Sequence, residues 1–321
     1  MNITLINPHN KATLQEANGS LQDLTGEKFQ SVNHIYRFVK SENYTGSFGF
    51  QWNKFATTQV DRFHQGLSQS YERFFAVTGW DKQDLLNKNV LEVGSGAGRF
   101  SQIILNHTKA TLYSVDYSDA VDANFKNNGP HERLKLFQAS IYELPFAPSQ
   151  FDKVFCFGVL QHTPDVKRSV EALVNMVKPG GELIVDFYPI RGWYTKLHAK
   201  YIFRPFTRRM GHEKLLSKIE NNADLLIKLY TFFDRIGLGK IVNRFLPVCD
   251  IKNTIPSGLS NEALREWVIL DTFDMFSPAY DQPQRLKRVV KWFEEFGMLE
   301  VKGEIIRYGD SNMVTVVRGR K

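Results

Sequence analysis

The sequence has few of the features that mark cross-linked or membrane-spanning proteins. Its two cysteines, Cys156 and Cys249, are too few for a disulfide framework, and no Cys-x-x-Cys or Cys/His cluster predicts zinc. No run approaches the roughly 18 consecutive apolar residues of a spanning helix, and the N-terminus shows no basic start followed by an apolar stretch. We therefore expect a cytoplasmic protein in which Cys156, inside an apolar run, is a core thiol.

Length and composition predict one domain with elaborations. The chain has 321 residues and 42% apolar side chains, enough for a well-filled core. Its charge is uneven: residues 191–252 hold 13 Lys and Arg against 5 Asp and Glu, an excess of 8, while the whole chain carries +7. The default interpretation of this basic segment is a solvated face. An attractive field for an anionic acceptor comes next, and a surface for anionic lipid or RNA is the third alternative.

A glycine-rich turn at residues 89–100 organises the rest of the chain. The stretch reads Asn-Val-Leu-Glu-Val-Gly-Ser-Gly-Ala-Gly-Arg-Phe, an apolar strand followed by Gly94, Ser95, Gly96 and Gly98 and then by helical spacing. Glycine is needed where the backbone takes positive φ or where a ligand approaches the main chain. The following helix presents free N–H groups and its positive end. The turn therefore predicts a nucleoside cradle.

The spacing in this turn excludes two common ligand classes. It differs from the G-x-G-x-x-G of dinucleotide folds, and no Gly-Lys-Ser/Thr follows as in phosphate loops. A second strand-like run, residues 110–115, ends in Asp116, about 20 residues past the glycines, where an acid is placed to accept both ribose hydroxyls. Tyr117 would then lie beside the base.

Glu-x-Gly-x-Gly-x-Gly after a first strand resembles motif I of the class I S-adenosylmethionine-dependent methyltransferases. The resemblance covers residues 89–188 in unbroken motif order. It implies S-adenosylmethionine as cofactor, whose positive charge and lack of phosphates suit Glu92. Where the family usually has an aspartate for the adenine amino group, this chain has Ser140, a weaker acceptor, followed by Ile141 as an apolar wall.

The segment after the fourth strand also matches the family. Phe157 and the following Gly-Val-Leu-Gln-His-Thr-Pro-Asp resemble the motif that forms the far wall of the cofactor pocket. The family's base-methylating members commonly carry Asp/Asn-Pro-Pro-aromatic here, so its absence argues for a small-molecule acceptor. We expect no DNA partner and do not favour RNA. His162 is the titratable side chain that the motif brings near the methyl group; it could accept a proton from a hydroxyl or be a structural loop histidine.

Strands alternating with helices over residues 89–188 predict an α/β fold with a doubly wound, mostly parallel sheet. A helix at 285–296 and strands at 299–306 and 313–317 complete a seven-stranded Rossmann-like methyltransferase sheet with an antiparallel edge hairpin. The predicted division is an N-terminal arm with lid helices at 1–80, a cofactor-binding core at 81–188, a basic helical insertion at 189–283, and the core's C-terminal helix and hairpin at 284–321.

Two further segments are predicted to cover the acceptor pocket. The aromatic-rich residues 43–55 form either a lid or an anchor for the N-terminal arm, and an amphipathic helix follows at 59–75. In the family, a helical insertion between strands five and six commonly builds the acceptor site. Within this insertion, residues 271–284 are predicted to be an irregular loop, with Asp274, Tyr280 and Asp281 as hydrogen-bonding candidates for the acceptor.

The predicted function is methyl transfer from S-adenosylmethionine to an oxygen of a small or carrier-linked acceptor. One alternative is carbon methylation of an apolar, quinone-like substrate, with the basic insertion contacting the membrane surface. The other is a noncatalytic module that binds S-adenosylmethionine or RNA.

Overall fold

The computed structural model describes residues 3–17, 19–39, 43–309 and 312–321, and a single twisted sheet runs through its centre. The strands are β1 Gln15–Ala17, β2 Ser20–Gln22, β3 Lys28–Val32, β4 Ile35–Arg37, β5 Asn89–Val93, β6 Thr111–Asp116, β7 Leu134–Gln138, β8 Phe151–Cys156, β9 Val177–Phe187, β10 Leu299–Tyr308 and β11 Asn312–Arg320. Their order across the sheet is β1-β2-β3-β4-β7-β6-β5-β8-β9-β11-β10.

Seven of these strands form the doubly wound core. The five strands β7, β6, β5, β8 and β9 are mutually parallel, β11 runs antiparallel beside β9, and β10 closes the edge as a hairpin with β11. The predicted fold class, including the edge hairpin, is therefore confirmed. Residues 310 and 311 of the hairpin turn lie outside the described residues.

Four strands extend the sheet beyond the prediction for the N-terminal arm. β4 pairs in parallel with β7, and β1 to β3 follow as an antiparallel series. Each has only three to five residues, and several positions are exposed, so the alternation of apolar and polar residues is too short to stand out in the sequence. Long-range packing holds them, since the rings of Phe29 and Phe38 stack at 4.5 Å and Phe38 lies 6.5 Å from Phe137.

Helices cover both faces of the core sheet. They are α1 Gly46–Lys54, α2 Gln69–Thr78, α3 Arg99–His107, α4 Ala120–Asn128, α5 Val166–Met176, α6 Ala199–Thr207, α7 His212–Arg235, α8 Gly239–Val242, α9 Ile251–Thr254, α10 Asn261–Phe276 and α11 Leu286–Glu295. α5 and α11 pack on one face, and α2, α3 and α4 on the other. α1 joins α7 and α10 in a separate apolar cluster. In the described part of the chain, none of the helices combines the length and apolar character of a bilayer-spanning segment.

The helix predicted for residues 59–75 forms only in its second half. Residues Asp61–Phe63 make a 3₁₀ turn, and α2 begins at Gln69. The Asp61 carboxylate explains the boundary, because it accepts hydrogen bonds from the main-chain N–H groups of Ser70 at 3.0 Å and Tyr71 at 2.9 Å. It thereby satisfies amides in the first turn that have no partner within the helix.

The loop predicted for residues 271–284 is helical in its first part. α10 continues to Phe276, and its last turns bury Thr272, Phe273 and Met275. The sequence suggested an irregular loop because polar and aromatic residues alternate there without a clean apolar stripe. The helix packs on several sides against α6, α7 and α1, so both kinds of residue find buried positions.

Candidate active site

A cavity of about 480 Å³ opens at the C-terminal ends of the parallel strands, where open α/β sheets bind their ligands. Its two halves differ in character. The glycine side is lined by Gly94, Ser95, Gly96, Asp116, Tyr117, Ile141 and Phe157. The polar side is lined by Arg73, Arg99, His162, Asp186, Tyr188, Asp271 and Asp274. α1 spans both halves through Phe48 and Trp52.

The turn after β5 is shaped so that only glycine fits. Gly94 and Gly96 have φ of +85° and +52°. A Cβ on Gly94 would lie 2.0 Å from the Val159 side chain, and one on Gly96 would lie 3.1 Å from the Trp52 indole. Between them, the buried Ser95 hydroxyl has no hydrogen-bond partner among the described residues. The main chain of the turn therefore lines the cavity, and the Ser95 hydroxyl beside it is left without a protein partner.

Asp116 lies at the end of β6 and faces this turn. Its carboxylate accepts hydrogen bonds from the Gly96 N–H at 2.8 Å and from the Ser118 N–H at 2.9 Å. Burial raises the pKa of Asp116, and these donors oppose the rise because they stabilise the anion. The Tyr117 ring lies 5.3 Å from that of Tyr44, so aromatic groups flank the acid on the cavity wall.

Three residues predicted to bind the cofactor do not line the cavity. Glu92 is buried behind the turn, where it accepts hydrogen bonds from the hydroxyls of Ser101 and Ser114, and burial raises its pKa to about 7. A Cβ on Gly98 would lie 2.2 Å from Asn124 Oδ1, so this glycine allows α3 to pack on α4. The Ser140 hydroxyl accepts from the Tyr142 N–H at 3.2 Å, which turns it away from the cavity wall formed by its neighbours.

His162 ends a 3₁₀ turn after β8 and lines the polar side. Its Nδ1 lies 2.9 Å from the main-chain carbonyl of Tyr280. A carbonyl only accepts, so Nδ1 carries the proton and Nε2 holds the free lone pair. Burial lowers the pKa of His162, and Asp274 opposes that shift. At neutral pH the imidazole is therefore an uncharged base.

The three predicted acceptor residues have different positions. Asp274 lines the cavity and accepts from Gln51 Nε2 at 3.2 Å, which ties α10 to α1. Tyr280 contributes its carbonyl to His162, while its ring packs edge-on against Tyr44 at 5.3 Å. Asp281 forms a buried ion pair with Lys200 at 2.5 Å and does not reach the cavity wall.

The polar side also holds two arginines that the sequence reasoning missed. Arg73 pairs with Asp186 at 2.5 Å, and Arg99 donates to Gln59, which in turn donates to Asp271 at 3.0 Å. Burial raises the pKa of Asp271 to about 7, with Asp274 adding to the rise. Arg99 directly follows the third glycine, which is a usable sequence signal. Arg73 has no such sequence signal, because it reaches the cavity only through the tertiary packing of its helix, α2.

The fold and this site define a nucleoside-binding α/β domain: a backbone cradle, an acid at the end of the neighbouring strand, and apolar walls beside it. Residues 91–185 match a family model described as a methyltransferase domain. With the seven-stranded order and the glycine turn, this match shows that the core of the chain is a methyltransferase domain of the class I S-adenosylmethionine-dependent type. The resemblance seen in the sequence is confirmed, and S-adenosylmethionine is the cofactor of the family.

Curated relatives match part of this chain. Over 124 residues, the chain is 32% identical to the ubiquinone biosynthesis O-methyltransferase of Coxiella burnetii. The aligned region covers 37% of this chain and 53% of that protein. Over 111 residues, it is 32% identical to the tRNA U34 carboxymethyltransferase of Nautilia profundicola. That aligned region covers 34% of this chain and 37% of that protein. The chain thus spans about half the length, or less, of these relatives.

Solved structures show more distant likenesses. One is a complex between the Haloferax volcanii Trm112 methyltransferase activator and a methyltransferase, with a TM-score of 0.49, 11% identity, and coverage of 88% of this chain and 98% of that one. Human N-acetylserotonin methyltransferase in complex with S-adenosylmethionine has a TM-score of 0.44, 13% identity, and coverage of 88% and 60%. Among the residues that the structure describes, no three His, Cys, Asp or Glu side chains form a metal site.

Proposed function

We propose that this protein transfers a methyl group from S-adenosylmethionine to a hydroxyl oxygen of a small or carrier-linked acceptor, with His162 as the general base. The observation that carries the proposal is the Nδ1 contact of His162 with the Tyr280 carbonyl. It leaves a basic Nε2 on a residue that lines the same cavity as the glycine turn.

The glycine side fits the cofactor. Gly94 and Gly96 let the main chain of the turn pack closely against Val159 and Trp52 at the cavity wall, and the unpartnered Ser95 hydroxyl offers a donor or acceptor. Asp116 would accept hydrogen bonds from the ribose hydroxyls, and Ile141 and Phe157, which line the same cavity, would form apolar walls for the adenine. S-adenosylmethionine supplies a methyl group that is already activated by the sulfonium.

The residues of the polar side explain why the acceptor would be a hydroxyl. An alcohol or phenol must lose its proton as its oxygen attacks, and a buried, uncharged histidine can accept that proton. The rings of Phe48 and Tyr188 lie 5.0 Å and 5.7 Å from His162, so they restrict water around the base. After transfer, the proton resides on Nε2, and Asp274 stabilises the imidazolium electrostatically.

The charges of the polar side are paired. Arg73 lies against Asp186, and Arg99 is linked through Gln59 to Asp271. The cavity therefore favours a polar acceptor with several hydrogen-bonding groups.

The test is labelled methyl transfer from S-adenosylmethionine into fractions of a cell extract, with cofactor binding measured separately by calorimetry. We expect the wild-type chain to label one fraction. His162→Gln should bind the cofactor as tightly as wild type and label about 10² to 10⁴ times more slowly, the usual contribution of a general base. Asp116→Ala should lose cofactor binding. His107→Gln, which changes an exposed histidine at the far end of α3, is the matched control.

Two results would contradict the proposal. If His162→Gln labels at the wild-type rate, His162 is not the base. If wild type binds S-adenosylmethionine but labels nothing, the protein is a binding module. The carbon NMR shift of the transferred methyl distinguishes attachment to oxygen from attachment to carbon, and attachment to carbon would favour a quinone-like acceptor.

A further inference from the structure

The insertion exposes an unusual number of large apolar side chains. Among the described residues, 21 large hydrophobic side chains are exposed, and 12 of them lie within residues 193–245, about a sixth of the chain. They are Trp193, Tyr194, Leu197, Ile202, Phe203, Phe206, Leu225, Phe232, Ile236, Leu238, Ile241 and Phe245. Such a concentration on a globular protein marks an interaction surface.

Contacts of Arg244 join two of the segments that carry these side chains. The Arg244 guanidinium donates to the main-chain carbonyls of Tyr194 and Leu197, and it lies 5.4 Å from the centre of the Tyr194 ring. This links the 3₁₀ turn at Trp193–Lys196 to the segment that follows α7. We call the surface formed by residues 193–197 and 232–245 the docking face.

α6 follows the docking face's 3₁₀ turn in the chain. The turn ends at Lys196 and the helix begins at Ala199. The buried Arg204 of α6 donates to the Pro278 carbonyl at 2.8 Å, which fixes the inner side of the helix. Ile202 and Phe206 are four residues apart, so they share one side of the helix, and both are exposed. α6 therefore carries exposed apolar side chains close in the chain to the docking face.

The docking face also carries cations: Lys196, Arg235 and Lys240 are exposed on it. Across residues 193–245 as a whole, exposed lysines and arginines outnumber exposed acids: Lys196, Arg208, Arg209, Lys214, Lys218, Lys228, Arg235 and Lys240 stand against Glu213 and Asp224. Cations beside Trp, Tyr and aliphatic side chains are the composition that binds the interface of an anionic bilayer.

The same composition argues against other occupants. In a symmetric dimer, this surface would bring like charges together, whereas the buried centres of dimer interfaces are depleted of charge. Single-stranded RNA would use the cations and the aromatic rings. It would leave Leu197, Ile202, Ile236, Leu238 and Ile241 without a stacking role, although these aliphatic side chains fit the acyl region of a membrane.

We propose that the docking face binds anionic lipid bilayers peripherally, with the exposed apolar side chains inserted among the acyl chains and the cations at the headgroups. Arg191 and His198, on either side of the 3₁₀ turn in sequence, line the cavity, so the bound membrane would lie beside the active site. Binding to the bilayer does not depend on methyl transfer, so its test can fail or succeed independently of the proposed function.

The test is co-sedimentation of the full chain with vesicles of phosphatidylcholine alone or of phosphatidylcholine and phosphatidylglycerol, over a range of salt concentrations. We expect sedimentation with the anionic vesicles that falls as salt rises. Ile241→Ser combined with Phe245→Ser removes inserted apolar groups, and Lys196→Glu combined with Lys240→Glu reverses two headgroup contacts. Each pair should weaken partitioning by about tenfold or more, given the contribution of each cation and each buried apolar group.

Matched controls use equally exposed residues elsewhere. Leu24 and Leu299 are 92% and 65% exposed, so Leu24→Ser combined with Leu299→Ser changes surface hydrophobicity away from the docking face. Lys287→Glu changes an exposed cation on α11. These controls should sediment as wild type does. Sedimentation with neither vesicle, or equal losses in controls and docking-face variants, would overturn the proposal.

Two further outcomes would also overturn it. One is a dimer in light scattering that Ile241→Ser combined with Phe245→Ser dissociates. The other is tight RNA binding that the lysine variants abolish and the apolar variants leave unchanged.

Discussion

The Trp52 indole lies directly over Gly96, so close that a Cβ on the glycine would come within 3.1 Å of the ring. This contact joins α1 to the turn after β5. The Asn53 side chain strengthens the junction, because it donates to the Asp119 carbonyl at 2.9 Å. The aromatic-rich segment is thus both docked on the core and part of the cavity wall.

Replacing Gly96 should therefore weaken cofactor binding through crowding as well as backbone strain. In Gly96→Ala, the Cβ meets Trp52 and the residue must keep positive φ, which costs about 1 to 2 kcal/mol for an L-residue. We expect S-adenosylmethionine affinity measured by calorimetry to fall by about tenfold or more, the loss that about 1.4 kcal/mol produces. Gly180→Ala is the control, since Gly180 has φ of +78° and nothing within 4 Å of its Cβ position. It should lose stability and keep its affinity; equal affinities for the two variants would contradict the role of Trp52.

The rate of methyl transfer should depend on pH through His162. Burial lowers the pKa of this residue, so the group loses its proton below its ordinary value of about 6.5. We expect kcat/KM to be constant at neutral and higher pH and to fall as acid protonates the base, with a midpoint below pH 6.5. His162→Gln should abolish that acidic limb. A limb unchanged in the variant would assign the titration to another group.

Glu92 should make the folded protein less stable as pH rises. Burial raises its pKa from 4.5 to about 7, so between these values the folded protein holds a proton that the unfolded chain has released. Stability therefore falls as pH increases through this window, by up to about 3 kcal/mol for a shift of this size. Glu92→Gln should flatten the dependence measured by urea unfolding between pH 5 and about 8. A slope that is unchanged would show that Glu92 is not its source; Asp271, whose pKa is also raised to about 7, would be tested next.

The Lys200 and Asp281 pair should be structural. The two side chains are 11% and 1% exposed, so Asp281→Asn leaves a buried ammonium without its partner. We expect a loss of about 3 kcal/mol or more in urea unfolding, with the double variant Lys200→Met and Asp281→Asn closer to wild type. The exposed pair of Asp224 and Arg265, at 3.1 Å, gives the control: Asp224→Asn should cost less than about 1 kcal/mol. Similar losses at both sites would contradict burial as the cause.

The core of this protein could be read from the sequence because its signals are local. The apolar runs that form β5, β6 and β8, the alternate glycines after β5, and Asp116 at the end of β6 each occupy a few consecutive residues. These signals specify backbone conformation and strand order, which follow from the local sequence pattern. His162 was found in the same way, from the motif that follows β8.

Other assignments depended on which way a side chain points. Glu92 and Ser140 lie within motif segments, yet their hydroxyl and amide partners turn them away from the cavity. Asp281 follows Tyr280, whose carbonyl contacts His162, but the Asp281 carboxylate forms a buried ion pair with the Lys200 ammonium. Ser114, a partner of Glu92, and Lys200, the partner of Asp281, are both distant in sequence, so no local pattern reveals these pairings.

The sequence by itself determined the doubly wound core, the nucleoside cradle and the acid beside it, since short-range backbone and burial preferences specify them. Only the tertiary structure decided the polar side of the cavity. Arg73 meets Asp186, 113 residues away, because α2 packs on β10 and β11. Gln51 meets Asp274, 223 residues away, because α1 packs on α10. Contacts over such separations arise from the packing of whole helices, and the residues that make them carry no mark of it in the chain.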